Sequence, residues 1–265
     1  MKYEKIKYPD GQISVVINHY GDGQIVERIN SYEDLIFIKS ISDAFHASGR
    51  QGLSIFIPCL FGQRSDRRFS KHQSFDLKII CDIINSCNFT KVEIFDPHSD
   101  VCLALINNSH KIDSFMYVLR CIKPGATDVT NLPNESEKDN IVLVSPDAGS
   151  YKKVFYYGEL LGLPVVSANK HRGLDGKINL VFTGDVKGKT CLIVDDIADG
   201  GFTFVLLAKS LKDLGASKVN LYVSHGYFFK GFEELKKNID HIYCTNSVRD
   251  IDDEFVTQFK INTLK

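Results

Sequence analysis

Two adjacent carboxylates, Asp195 and Asp196, stand where the apolar run Cys191 to Val194 gives way to Asp199-Gly200-Gly201-Phe202-Thr203. The apolar, β-branched run reads as a buried strand. The glycines mark a turn, and Phe204 to Leu214 reads as a helix. This order places an anion site beside a polyol site. Backbone N–H groups of the turn and of the helix start can hold a phosphate. The carboxylates can accept hydrogen bonds from ribose hydroxyls or hold a hydrated Mg²⁺. Taken alone, the same residues are an acidic strand end and a solvated glycine turn, so the rest of the chain decides.

Other polar clusters recur at positions of the same kind. Leu53 to Pro58 is a continuous apolar run, expected to be a central buried strand. It leads into Phe61-Gly62-Gln63-Arg64-Ser65-Asp66-Arg67-Arg68, a loop dense in cations. Val92 to Phe95 reads as a strand ending at Asp96-Pro97-His98, and Ile141 to Val144 as one ending at Ser145-Pro146-Asp147-Ala148-Gly149. A helix to about Leu161 and a strand over Pro164 to Ser167 precede Lys170-His171-Arg172 and a polar segment, Gly173 to Lys189. Val219 to Val223 is a strand that ends at Ser224-His225-Gly226. Near the start, the turn Tyr8-Pro9-Asp10-Gly11-Gln12 precedes the strand Ile13 to Ile17, and Leu35 to Lys39 reads as a further short strand. Residues 74–87 carry apolar positions at helical spacing. Strands alternating with helices predict an α/β protein with central parallel sheets. Ligands in such folds sit outside the carboxyl ends of the strands, where these clusters lie. A short helix from about Ser114, then the Pro/Gly/Thr/Asn-rich stretch Lys123 to Asn140, predicts a domain junction. The expected domains are 1–113 and 114–265.

Bulk properties narrow the function. The 265 residues suit one or two α/β domains, and a net charge of −1 without a basic run gives no reason to propose nucleic-acid binding. Seven scattered cysteines without a Cys-x-x-Cys pair indicate neither zinc nor a disulfide framework, and a reducing cytosol fits. No stretch approaches the roughly 20 apolar residues of a membrane span. Gly184 to Thr190 falls one residue short of a phosphate-binding P-loop and precedes a strand where a P-loop follows one.

Across nearly its whole length, and in order, the chain resembles ribose-phosphate diphosphokinases (PRPP synthetases), which share their ribose-phosphate motif with type I phosphoribosyltransferases. Ser145-Pro146-Asp147-Ala148-Gly149 resembles their Ser-Pro-Asp-x-Gly turn, and Tyr8-Pro9-Asp10-Gly11-Gln12 their Phe-x-Asp-Gly-Glu turn. Arg64-Ser65-Asp66-Arg67 is similar to their Arg-Gln-Asp-Arg/Lys loop and Asp96-Pro97-His98 to their Asp-Leu-His. Lys170-His171-Arg172 is similar to the Lys-x-Arg that opens their catalytic lid. The resemblance implies two type I phosphoribosyltransferase-like, Rossmann-like domains, with ATP bound between them and at a subunit contact. It implies Lys170 and Arg172 as catalytic cations, His98 as a Mg²⁺ ligand, and Asp147 as a second acidic ligand for metal or ribose. Asp195 and Asp196 would hold the ribose hydroxyls, and Asp199, Gly200, Gly201, Phe202 and Thr203 the 5-phosphate. Tyr8, Asp10, Gln12, Arg64, Ser65, Asp66 and His98 would frame ATP. The implied partners are small molecules, with no nucleic acid and no membrane, in a cytoplasmic homo-oligomer, at least a dimer.

The family's phosphate turn is Asp-Thr-Gly/Cys-Gly-Thr. Here Gly200 lacks the hydroxyl, and Phe202 replaces a glycine that lets backbone approach a phosphate closely. Ser65 stands where Gln is usual and Gln12 where Glu is usual. Some phage-encoded relatives act on ADP-ribose, within NAD metabolism and in a host's cytoplasm, so the acceptor is expected to be ribose 5-phosphate or ADP-ribose. A non-catalytic regulatory subunit of the same fold and a phosphoribosyltransferase are the competing readings.

Overall fold

The computed structural model describes residues 1–138, 140–172 and 178–261, and it divides into two compact units, Met1–Asp113 with Ile261, and Ser114–Lys260. The first unit opens with a two-stranded antiparallel sheet, β1 (Lys2–Lys7) and β2 (Ile13–His19). Its tip is a tight turn, in which the Tyr8 and Gly11 amides donate to the Gln12 and Tyr8 carbonyls at 2.9 Å. β3 (Gln24–Val26) then leads to α1 (Tyr32–Ala47), and β4 (Ser54–Ile57) to α2 (Asp76–Ser86). β5 (Lys91–Phe95), α3 (Asp100–Leu105) and β6 (Ser109–Ile112) complete the unit. The four strands β3-β4-β5-β6 pair in parallel in sequence order.

The expected strand over Leu35 to Lys39 is instead the middle of α1. Ser31 caps that helix by accepting from the Asp34 amide at 3.2 Å, and Glu33 and Asp34 lie in its first turn, where acidic side chains favour the helix dipole. Leu35, Phe37, Ile38, Ile41 and Phe45 are buried, so the helix presents a broad apolar stripe whose central run resembles a strand. β4 and α2 form where the sequence predicts them.

In the second unit, α4 (Phe115–Ile122) and the short α5 (Glu135–Lys138) precede β7 (Ile141–Ser145), α6 (Ala148–Leu161) and β8 (Val165–Arg172). β9 (Ile178–Thr183), β10 (Thr190–Ala198), α7 (Phe202–Asp213) and β11 (Lys218–Gly226) follow. A 3₁₀ turn (Leu235–Lys237), β12 (His241–Thr245) and β13 (Val256–Phe259) close it. The sheet order is β13-β12-β11-β10-β7-β8-β9, parallel except for the antiparallel β8–β9 hairpin. Alternation along the strands fills both faces. Cys191 and Ile193 pack with Phe204, Leu207, Ala208 and Leu211 of α7. Leu192 and Val194 pack with Val118 and Leu119 of α4 and with Val154, Tyr157 and Leu161 of α6. The fold is α/β, with central, mostly parallel sheets.

Two strands run further than their apolar residues predict. β8 continues past Ser167 to Arg172 because β9 pairs with it, Lys170 opposite Leu180 and Arg172 opposite Ile178. β10 continues through both acids to Ala198 because β11 pairs with it as far as Gly226. α7 also starts earlier, at Phe202.

Candidate active site

From β7 the chain winds through α6 to β8, and from β10 it winds through α7 to β11 on the other side. β7 and β10 are therefore the pair at which the strand order reverses, where open α/β sheets form a crevice. Their ladder runs only from Thr190↔Ile141 to Ile193↔Val144, so beyond Ile193 β10 keeps β11 as its neighbour and parts from β7. Asp195 and Asp196 come next on β10, and Asp147 follows the end of β7.

Asp147 is the N-cap of α6. Its Oδ1 accepts from the Ser150 amide at 3.0 Å, and its own carbonyl accepts from Ser145 Oγ at 2.7 Å. The Asp195 carboxylate accepts the Asp196 amide at 3.0 Å. Burial pushes the Asp195 pKa well above the carboxylate range, and the Asp196 and Asp147 charges push it further. Among the described residues, no three His, Cys, Asp or Glu side chains form a metal-ligand cluster. Mg²⁺ commonly takes one or two carboxylates and keeps waters and substrate phosphates as its remaining ligands. The mutual repulsion of Asp147, Asp195 and Asp196 fits a site that receives a cation or hydroxyl donors.

The turn after β10 is open at its helix end. Gly201 is the N-cap of α7 with φ +77°, a left-handed conformation suited to glycine, and its carbonyl accepts from the Phe204 and Val205 amides at 3.0 and 3.1 Å. The first amides of the helix have no intrahelical acceptor. Phe202, the first helical residue, is 73% exposed, so its ring does not fill the turn as a core residue would. The loop after β11 is bound to this turn. The Tyr227 and Phe228 amides donate to the Ala198 carbonyl at 2.8 and 3.2 Å, and the Phe229 amide donates to the Asp199 carbonyl at 3.2 Å. This loop escaped sequence reasoning, because its signal is only an aromatic run before Lys230-Gly231.

Lys170 and Arg172 lie on β8 by backbone, and their side chains lie outside the described residues. His225 is fully buried, with Nδ1 2.9 Å from Ser247 Oγ. Ser247 Oγ donates to the Ser224 carbonyl at 2.9 Å, so the imidazole N–H is assigned as donor to Ser247. This chain of bonds joins the ends of β11 and β12, a structural role.

Within the first unit, the loops after β4 and β5 are joined by buried Gln63, whose Oε1 accepts the His98 amide at 3.0 Å. This brings Arg64, Ser65 and Asp66 to the same strand ends as His98. Burial alone would raise the Asp66 pKa, but the hydrogen bond from Arg67 and the charges of Arg67 and His98 outweigh it and hold the pKa low. The Arg67 Nε–Asp66 Oδ1 distance is 2.9 Å. Tyr8, Asp10 and Gln12 sit apart from these loops in chain position, at the β1–β2 tip, where Asp10 Oδ1 accepts the Gln12 amide at 3.0 Å.

The family model for the phosphoribosyl transferase domain matches residues 134–263. The chain is 26% identical over 251 residues to the ribose-phosphate pyrophosphokinase of Thermosipho africanus, covering 91% of this chain and 77% of that one. It is 27% identical over 247 residues to that of Pyrococcus abyssi, covering 91% and 82%. Against ribose-phosphate pyrophosphokinase 2 of Saccharomyces cerevisiae it is 28% identical over 215 residues, covering 79% and 64%. The crystal structure of phosphoribosylpyrophosphate synthetase from Mycobacterium smegmatis shares the fold, with a TM-score of 0.81 at 19% identity, over 99% of this chain and 87% of that chain.

Proposed function

We propose that this chain is a divergent member of the ribose-phosphate pyrophosphokinase family and transfers the β,γ-diphosphate of ATP to the anomeric hydroxyl of a ribosyl 5-phosphate. The observation that carries the reading is the convergence of Asp147, Asp195 and Asp196 at the reversal of strand order, next to an open glycine turn at a helix start. That arrangement suits a sugar held through its hydroxyls by paired acids and through its phosphate by backbone amides.

In the reaction, the anomeric oxygen bonds to the β-phosphorus and the bond from that phosphorus to the α,β-bridging oxygen breaks. AMP leaves with the bridging oxygen, and the hydroxyl proton passes to solvent. Such transfers need positioning and charge neutralisation more than a strong base. Lys170 and Arg172 are the cations proposed to neutralise the transferring group. They are two positions apart on β8. Asp195 and Asp196 orient the ribose, and residues 199–203 hold its phosphate. Tyr8, Asp10, Gln12, Arg64, Ser65 and Asp66 frame the nucleotide. Asp147 and His98 would hold Mg²⁺, which when bound offsets phosphate charge. The acceptor is ribose 5-phosphate or ADP-ribose; the hydroxyl missing at Gly200 and the ring at Phe202 favour the larger one. The enzyme works as a cytoplasmic oligomer, at least a dimer.

The test is AMP release by the purified protein with ATP and Mg²⁺, given ribose 5-phosphate and ADP-ribose in parallel. AMP is expected with at least one acceptor, and Lys170→Ala is expected to lower turnover by a factor on the order of 10² or more while nucleotide binding persists. Absence of AMP with both acceptors overturns the reading. An undiminished rate in Lys170→Ala removes that residue from the mechanism.

A further inference from the structure

Two of the most exposed large apolar side chains of the protein, Phe202 at 73% and Phe229 at 74%, border the glycine turn. Phe202 follows Gly201 directly, and Phe229 is tied to the turn by the hydrogen bond its amide N–H donates to the Asp199 carbonyl. Lys230 lies over the turn itself. A Cβ placed on Gly200 would meet the Lys230 methylenes at 3.6 to 3.9 Å. Its ammonium has no hydrogen-bond or ion-pair partner among the described residues, whereas nearby Lys236 and Lys237 pair with Glu233 and Glu234.

The loop that presents Phe229 and Lys230 is firmly held. Phe228, with φ +45°, is 2% exposed and packs its ring 5.0 Å from that of Phe232. The same ring lies so close to Gly226 that a Cβ there would sit 2.4 Å from it. The Gly231 amide closes the loop on the Phe228 carbonyl at 3.0 Å. Phe228 thus anchors inward while its two successors face solvent.

Exposed aromatic rings and a cation beside a glycine turn have a chemical complement: a flat ring and more negative charge than one phosphate carries. We propose that Phe202, Phe229 and Lys230 form a specificity-determining rim that reads an acceptor extending beyond its 5-phosphate to a second phosphate and an aromatic base. The proposal rests on the diphosphate-transfer reading and deepens it. The rings offer stacking surface for the base, and Lys230 meets the outer phosphate. Ribose 5-phosphate ends at the turn and uses neither.

The test is calorimetric titration of the full chain, without ATP, with ADP-ribose and separately with ribose 5-phosphate. The double variant Phe229→Ala/Lys230→Ala changes two exposed side chains outside the turn. It is expected to weaken ADP-ribose binding by on the order of 10²- to 10⁴-fold, from one stacking contact and one charged contact, and to leave ribose 5-phosphate binding within about twofold. Unchanged ADP-ribose affinity, an equal loss for both ligands, or no binding of ADP-ribose to the unaltered protein overturns the rim. Since the titration needs no turnover, a protein that discriminates in binding but releases no AMP sustains the rim and sinks the diphosphate-transfer reading alone.

Discussion

Gly200 and Gly201 are neighbours in the turn, but the structure gives them opposite tolerance to a side chain. Gly200 lies outside the left-handed region, and a Cβ there meets only flexible Lys230 methylenes, none nearer than 3.6 Å. Gly201 has φ +77°, and its Cβ would meet three Leu235 side-chain carbons at 3.2 to 3.4 Å. Gly200→Thr restores the hydroxyl of the family's turn. It is expected to leave stability unchanged or raise it by about 0.4–1 kcal/mol, because the unfolded chain loses freedom. Gly201→Ala is expected to destabilise by about 1–2 kcal/mol for the left-handed backbone, with a few tenths more as Leu235 gives way. If the turn holds the 5-phosphate, the new hydroxyl adds a charge-assisted bond of about 1.5–3 kcal/mol, hence roughly 10- to 100-fold tighter binding of ribose 5-phosphate. Thermal unfolding measures the first effect and calorimetry the second. A Tm drop in Gly200→Thr as large as in Gly201→Ala would refute the backbone argument. An unchanged ribose 5-phosphate affinity would mean that the phosphate is bound elsewhere.

Asp195→Asn should raise thermal stability of the metal-free protein at pH 8 by on the order of 1–2 kcal/mol while lowering activity. The folded pKa of Asp195 is raised, so its contribution to stability is present below the unfolded carboxylate value and is lost as pH rises through the folded one. The gain should therefore shrink on acidification, and a variant no more stable than the parent at pH 8 would contradict the crowding of acids. Gly158→Ala places a methyl 2.4 Å from Val165 Cγ2 and 3.0 Å from the Leu163 carbonyl. Despite the better helix propensity of alanine, a net loss of about 1–2 kcal/mol is expected, read as a Tm lower by several degrees. A neutral result would show that α6 and β8 separate readily.

Much of this arrangement was legible in the residues because strand ends carry the chemistry, and apolar runs such as Leu53 to Pro58 and Cys191 to Val194 mark the strands. The failures share a cause: neighbours in space outweigh local composition. Leu35 to Lys39 looks like a strand because α1 is buried along a broad stripe, although Ser31, Glu33 and Asp34 announce a helix start. Asp195 and Asp196 do not look like strand residues, and only the ladder to β11 keeps them in β10. The loop at 227–231 was invisible because its meaning comes from two carbonyls, of Ala198 and Asp199, far away in sequence.

That loop has an evolutionary consequence. Its position is set by main-chain bonds and by the inward ring of Phe228, so the identities at 229 and 230 are not what holds it in place. Successive generations can therefore try new side chains there without rebuilding the carboxylates on β10 or the backbone around them. Acceptor preference can drift while the reactive centre is inherited intact, so paralogues of this protein should diverge at 229 and 230 sooner than at 195 and 196.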